Sequence, residues 1–231
     1  MNGSARENTE WLKGLAEREG AALFGVAEIG PIRNRFLLSE QEASGLPYGV
    51  CMAVTLSPPV LNGIQDRPTL LYKWHYQQAN NLLDKMAFRM STEIHAAGHR
   101  ALPIPASQIV DWTGHRGHVS HRAVAELAGL GWRGRNNLIV HAAHGSAIRL
   151  VTVLTDIALS PDHPVEAQCG TCSACVKLCP AEALGMEAGE YRLDRCHAKL
   201  TEYSRERGIG VHICGACVKA CLSRHRPGAA R

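Results

Sequence analysis

The chain has 231 residues, 45% of them hydrophobic and 20% charged, with a formal net charge of +4. That is the balance of a globular protein with length for one medium domain and a small one. So small a charge gives no argument for a nucleic-acid partner, and no apolar run is long enough to span a bilayer, so no membrane role is expected.

Asn8 or Thr9 can cap a helix running to residue 19, with Trp11, Leu12, Leu15 and Ala16 on one face. Residues 23–26 form a short strand candidate. Residues 50–56 form another, stopped by Ser57-Pro-Pro59, and Cys51 inside it reads as a buried core thiol. A long helix is predicted over 69–97. Its core stripe is Leu71, Trp74, Leu82, Met86, Met90 and Ile94, and Gly98 ends it. A strand is expected over 101–104, and a helix capped by Ser120 runs to residue 128. Strands follow over 138–141 and 147–155. Ser160-Pro-Asp-His-Pro164 marks a domain boundary. The N-terminus has no apolar h-region, so a cytoplasmic location is expected.

Eight of the nine cysteines lie in the last third. The first run is Cys169-Gly-Thr-Cys172-Ser-Ala-Cys175-Val-Lys-Leu-Cys179-Pro180, the C-x2-C-x2-C-x3-C-P spacing of bacterial two-cluster ferredoxins. The second is Cys214-Gly-Ala-Cys217-Val-Lys-Ala-Cys221, with Cys196 alone between the two runs. Three closely spaced thiolates wrap one corner of a cluster, and the fourth points away to the other cluster. Two [4Fe–4S] clusters are therefore expected. One is held by Cys169, Cys172, Cys175 and Cys221, the other by Cys179, Cys196, Cys214 and Cys217. Zinc sites and disulfides are the competing readings. A triplet followed by Cys-Pro is unusual for zinc, and a reducing compartment disfavours disulfides.

Gly129-Leu130-Gly131-Trp132-Arg133-Gly134-Arg135-Asn136-Asn137 matches G-x-G-x-x-G in the wrong context, because a helix precedes it and a strand follows. It reads either as a helix cap with tight turns or as a loop that lets a flat ligand approach the backbone. His115, His118 and His121 are spaced by three and could line a pocket or hold a metal; histidines without a metal are the more ordinary reading. Arg205, Arg207, Lys219, Arg224 and Arg226 make the end of the chain basic, as a solvated face or a docking site for an acidic electron donor.

The stretch 119–140, with Ala-Gly-Leu-Gly-Trp-Arg-Gly-Arg-Asn at its centre, followed by Gly145-Ser146 and Leu154-Thr155-Asp156 and then the cysteine module, resembles the epoxyqueuosine reductase family. The resemblance implies an α+β fold. A nitroreductase-like, B12-processing-type α/β sandwich over 1–163 would bind a corrinoid or substrate, and a small bacterial-ferredoxin-like two-cluster domain would follow over 164–231. It implies cobalamin as a further cofactor, an oxidoreductase fed by an external donor such as a ferredoxin or flavodoxin, and a small-molecule substrate. The corrin would lie at Gly129, Leu130, Gly131, Trp132, Gly134 and Asn136. Asp111, in Ile109-Val-Asp-Trp112, would donate a proton during reduction; on its residues alone it is equally a turn or cap.

The chain departs from the family pattern in three ways. Arg135 stands where a lysine is usual. A histidine-rich stretch over 113–121 replaces a shorter segment. The sequence ends soon after Cys221, where family members continue into helical repeats, which leaves a tRNA partner doubtful. Two other readings stay open: a non-enzymatic electron-transfer or corrinoid-reducing partner, and a reductase working with flavin or with the clusters alone.

Overall fold

The computed structural model describes residues 3–187 and 189–224. The chain divides into two compact units. The first takes the residues up to Val54 with Asn80–Leu130 and Arg149–Val165. The second takes Thr55–Ala79, Gly131–Ile148 and the residues from Glu166 onward. The fold is mixed α/β with small antiparallel pairings. Among the described residues, no helix is long and apolar enough to cross a membrane.

The first unit opens with α1 (Ala5–Arg18). Ser4 caps it through a reciprocal box: its hydroxyl accepts from Glu7 N, and the Glu7 carboxylate accepts from Ser4 N at 2.8 Å. The expected cap at Asn8 or Thr9 is thus corrected. Asn8 is buried within the helix, and its Nδ2 donates to the carbonyls of Gly3 and Ala158. Leu12, Leu15 and Ala16 face the core as expected.

β1 (Leu23–Glu28) leads through a 3-10 turn at Gly30–Arg35 and the short α2 (Glu40–Ala43) to β2 (Tyr48–Thr55). The strands pair antiparallel, with Gly25 opposite Cys51. Val50, Cys51, Met52 and Ala53 have no exposed surface, so both faces of β2 are covered. A strand covered on both faces reads as a continuous apolar run, which made it legible in the sequence.

α3 (Pro58–Asn62) and the first turns of α4 (Leu70–Ala96) belong to the second unit; α4 from Asn80 belongs to the first. Gly98, at φ 87°, ends α4, with His99 N donating to Ile94 O. The apolar stripe is right only in the second half of the helix. Met86, Met90 and Ile94 are buried, but Leu71 and Trp74 are 58% and 57% exposed and Leu82 is 39% exposed. Tyr72 and Leu83 take the inward positions instead. Leu83→Ala is expected to destabilise the protein by about 2–5 kcal/mol in urea unfolding, by lost burial and a cavity. Leu82→Ala is expected to stay within about 0.5 kcal/mol.

β3 (Ala101–Ile104) and α5 (His121–Leu127) follow. Ser120 accepts from Ala123 N at the start of α5, as its sequence indicates. At its end Gly129 (φ 68°) and the bond from Leu130 N to Ala125 O close the cap. β4 (Trp132–Arg133) and β5 (Ile139–Val140) form a small hairpin in the second unit. β6 (Ile148–Thr155) completes a sheet ordered β1-β2-β6-β3, with Leu102 opposite Leu154. α5 and α1 pack on β1. A Cβ at Gly25 would lie 2.4 Å from the Ala128 carbonyl oxygen, so glycine permits this approach. Along the outer side of β1, Asp162 takes up backbone groups that would otherwise be bare: its carboxylate accepts from Val26 N and its N–H donates to Val26 O, each at 2.8 Å.

The second unit is completed by α6 (Ala174–Lys177), α7 (Leu193–Ser204) and α8 (Ala216–Arg224). α8 packs against α6 and α3. Tyr203 OH donates to Asp66 O at 2.6 Å, Lys73 Nζ to Gly208 O at 2.6 Å, and Lys219 Nζ to Ile64 O. Lys219 is therefore committed within the unit and is no part of a free basic face. Arg205 and Arg207 are exposed, while Arg226 and the Arg224 side chain lie outside the described residues.

Candidate cluster site

All seven cysteines of the two runs, with Cys196, lie in the second unit. The first run opens as a tight turn, with Gly170 at φ 55° and Cys172 N donating to Cys169 O. It then enters α6, which carries Cys175, and leaves it at Cys179. α7 carries Cys196, and α8 carries Cys217 and Cys221.

The thiols fall into two electrostatic neighbourhoods. Burial pushes Cys175 up to about 11, and Cys221, Cys169 and Cys172 beside it add to the rise. Burial likewise raises Cys217, with Cys214, Cys196, Cys175 and Cys179 contributing. Cys214 feels Cys196 and Cys179, and Cys196 feels Cys179, each behind the dominant effect of burial. One group thus holds Cys169, Cys172, Cys175 and Cys221; the other holds Cys179, Cys196, Cys214 and Cys217. They adjoin between Cys175 and Cys217. α6 and its exit supply one thiol to each group, four residues apart, and so does α8.

Two sulfurs already receive backbone donors. Ser146 N donates to Cys221 Sγ at 3.3 Å, and Ala183 N to Cys179 Sγ at 3.4 Å. The backbone also comes very close at Gly145 (φ 54°), where a Cβ would lie 3.1 Å from Cys221 Sγ. Among the described residues, no three Cys, His, Asp or Glu side chains converge as ligands of a single ion do. Thiols spread around a volume, in two neighbouring groups and met by N–H donors, fit a cluster whose irons stand apart and replace the thiol protons.

The 129–136 segment is occupied by its own chain. Within the first unit, a Cβ at Gly129 would lie 2.5 Å from His163 O. Within the second, a Cβ at Gly131 would lie 2.2 Å from Val140 O, and one at Gly134 would lie 2.6 Å from Val140 Cγ2. Leu130 is buried and Trp132 sits in β4. Residues 134–137 make the hairpin turn: Gly134 N donates to Leu138 O, Asn137 N donates to Gly134 O, and Asn137 is left-handed at φ 57°. Asn136 is buried and donates to Ser146 Oγ at 2.8 Å. These contacts account for the glycines by the chain's own packing. The hairpin was missed in the sequence, although Gly-Arg-Asn-Asn, a short connection containing glycine, is a hairpin signal.

Asp111 is half-buried at the base of a tight turn in the first unit. Its backbone bridges to Arg116, and its carboxylate accepts from Thr113 N at 3.1 Å and Gly114 N at 2.9 Å. The carboxylate caps its own loop, whose tip carries the exposed Trp112.

The three spaced histidines go separate ways. His118 Nδ1 bonds the Leu37 carbonyl at 3.1 Å, and His115 takes a left-handed backbone at φ 50°. His121 Nε2 meets the Pro105 carbonyl at 2.9 Å, and its Nδ1 meets Thr152 Oγ1 at 2.8 Å. Burial lowers His121 from 6.5 to about 4; Arg149 and Arg122 assist, against the Pro105 carbonyl and Asp84. Its neutral form is therefore the folded one. Across that window the unfolded chain takes up a proton that the folded chain refuses. The full contribution to stability is present above the ordinary value and is lost as pH falls toward about 4, at up to about 1.4 kcal/mol per pH unit. Urea midpoints between pH 7 and pH 4.5 are expected to fall less steeply in His121→Gln than in the parent protein.

No family model matches the chain. Among curated proteins, the epoxyqueuosine reductase of Bacillus anthracis is 36% identical over 113 residues, covering 46% of this chain and 30% of the relative. That of Vibrio cholerae is 31% identical over 156 residues, covering 64% of this chain and 39% of the relative. The chain is related to the epoxyqueuosine reductases. The matches span about a third of the length of these epoxyqueuosine reductases. The fold is shared more widely. A reductive dehalogenase, whose structure is described as suggesting a mechanism for B12-dependent dehalogenation, superposes with TM-score 0.78 at 20% identity, over 100% of this chain and 33% of that one. An epoxyqueuosine reductase solved with an epoxyqueuosine-modified tRNA-Tyr stem loop superposes with TM-score 0.66 at 20% identity, over 93% of this chain and 64% of that one.

Proposed function

We propose that this chain is an iron–sulfur oxidoreductase of the epoxyqueuosine reductase type, with two [4Fe–4S] clusters carried by residues 164–231. The observation that carries the reading is the pair of thiol neighbourhoods, each of four cysteines. When bound, the clusters supply one-electron transfer. The chain's own residues hold them at eight thiolates, shield them through the burial of Cys175, and offer N–H groups from Ser146 and Ala183 to the sulfurs. Anaerobic reconstitution with iron and sulfide, read by iron and sulfide content and by EPR after reduction, tests this. Two clusters per chain are expected; zinc alone, or no cluster, would overturn it.

The reductive dehalogenase likeness favours a second element, a corrinoid. In this reading the corrinoid is bound with help from the 129–136 segment, and Asp111 leaves its turn to act as proton donor. Anaerobic titration with cobalamin, followed by its visible spectrum, should give saturable stoichiometric binding; an unchanged spectrum removes the corrinoid and leaves the cluster assignment standing. The doubt over tRNA rested on where the sequence stops, which is no guide to partners. The relative with a bound stem loop makes a modified tRNA stem loop the first substrate to assay, beside small molecules. We place the reaction in the cytoplasm, with a ferredoxin or flavodoxin as donor.

A further inference from the structure

The hairpin turn over 134–137 reaches the first thiol group from two directions. Arg135 spreads its guanidinium over three backbone carbonyls: Nη2 donates to Gly170 O at 2.7 Å, Nη1 to Cys172 O at 2.9 Å and Nε to Met186 O at 2.6 Å. Two of these carbonyls belong to the turn that carries Cys169 and Cys172. The next residue, Asn136, donates through Nδ2 to Ser146 Oγ at 2.8 Å, and both residues are buried. Accepting that bond leaves the Ser146 hydroxyl proton for Cys221, which also receives Ser146 N–H at 3.3 Å.

Consecutive side chains of one tight turn thus hold opposite ends of the same thiol group. Arg135 fixes the early turn, and Asn136 acts through Ser146 on the late thiol of α8. A guanidinium suits the first task because its planar fork serves several acceptors at once, which an ammonium on a flexible stem does less well. All the residues involved lie within the second unit.

We propose that Arg135 and the Asn136–Ser146 pair are positioning residues that set the potential of the cluster held by Cys169, Cys172, Cys175 and Cys221. This inference rests on the cluster reading above. Reduction adds a negative charge to a cluster. A fixed cation beside its loop and hydrogen bonds to its sulfur both stabilise that charge, so both raise the potential. Arg135 supplies the first, and Ser146, oriented by Asn136, supplies the second.

The test is potentiometric EPR on the reconstituted parent, Arg135→Gln, Arg135→Lys and Ser146→Ala. A Cys175→Ser variant, lacking this cluster, identifies which signal belongs to it. Arg135→Gln and Ser146→Ala are expected to move that signal's midpoint to lower potential and leave the other signal in place. Arg135→Lys should keep most of the midpoint, because the charge stays, but release iron to a chelator several-fold faster, because the three-carbonyl clamp is lost. If the parent takes up two clusters and neither midpoint nor iron release changes in any variant, the inference falls alone. If the parent takes up no cluster, the cluster reading falls and the inference with it. Equal shifts of both signals would show a general loosening of the unit, and would also overturn the inference.

Discussion

Replacing Cys175 by serine is expected to remove about half the iron and half the visible absorbance that the protein acquires on anaerobic reconstitution. Cys175 is the deepest thiol of its group, 8% exposed, and Cys169, Cys172 and Cys221 all press on its charge. A serine there offers an alcohol of far higher pKa in place of a thiolate, so an iron held at this position would lose its ligand. Cys179, Cys196, Cys214 and Cys217 remain, and the second cluster should survive with its EPR signal. The substitution of Cys51 is the control. That thiol is wholly buried in β2, burial pushes it up to about 12, and Cys51→Ala should leave the iron content unchanged. Loss of all iron in Cys175→Ser, with the protein still folded, would mean that the eight cysteines do not divide as described.

The largest structural penalty is expected at Gly131. Its φ is 151°, and a Cβ there would stand 2.2 Å from the Val140 carbonyl oxygen and 3.0 Å from Ile139 Cγ2. Both neighbours lie on β5, the partner strand of the hairpin, and the nearer one is backbone, which has no flexible side-chain end to give way. Gly131→Ala should destabilise the protein by about 3 kcal/mol or more in urea unfolding, or yield no soluble protein. Gly30 is the comparison, because a Cβ there would meet nothing within 4 Å. Gly30→Ala should shift stability by no more than about 0.5 kcal/mol. Similar losses at both positions would mean that the hairpin is not held as closely as these distances indicate.

The elements legible in the sequence were those whose signal is local. β2 is apolar along its whole length, the 101–104 strand matched its bounds, and Ser120 and Gly98 punctuate helices by their own chemistry. The cysteine spacings were legible for the same reason, since thiols two and three residues apart already sketch a ligand loop. The start of α4 was misread because the inward face is chosen by what packs there. Tyr72 turns in toward Gly215, where a Cβ would lie 2.8 Å from its ring, and Leu71 and Trp74 are left outside. The role of Arg135 was invisible for a further reason. Its partners are backbone carbonyls at 170, 172 and 186, and an acceptor that every residue possesses leaves no mark on a sequence.

The order in which the two units take up the chain has a consequence for synthesis. The first unit has all its residues once position 165 has been made, and the first cluster thiol, Cys169, comes after that point. Domains fold as their residues emerge from the ribosome. Newly made chain can therefore close the first unit with no iron at hand, while the segments Thr55–Ala79 and Gly131–Ile148 wait for the residues from Glu166 onward. If the proposed clusters are needed to close the second unit, an iron-starved cell would hold the chain at that stage, with Ile64 and Tyr72, which meet Gly215 in the closed unit, uncovered and open to proteolysis.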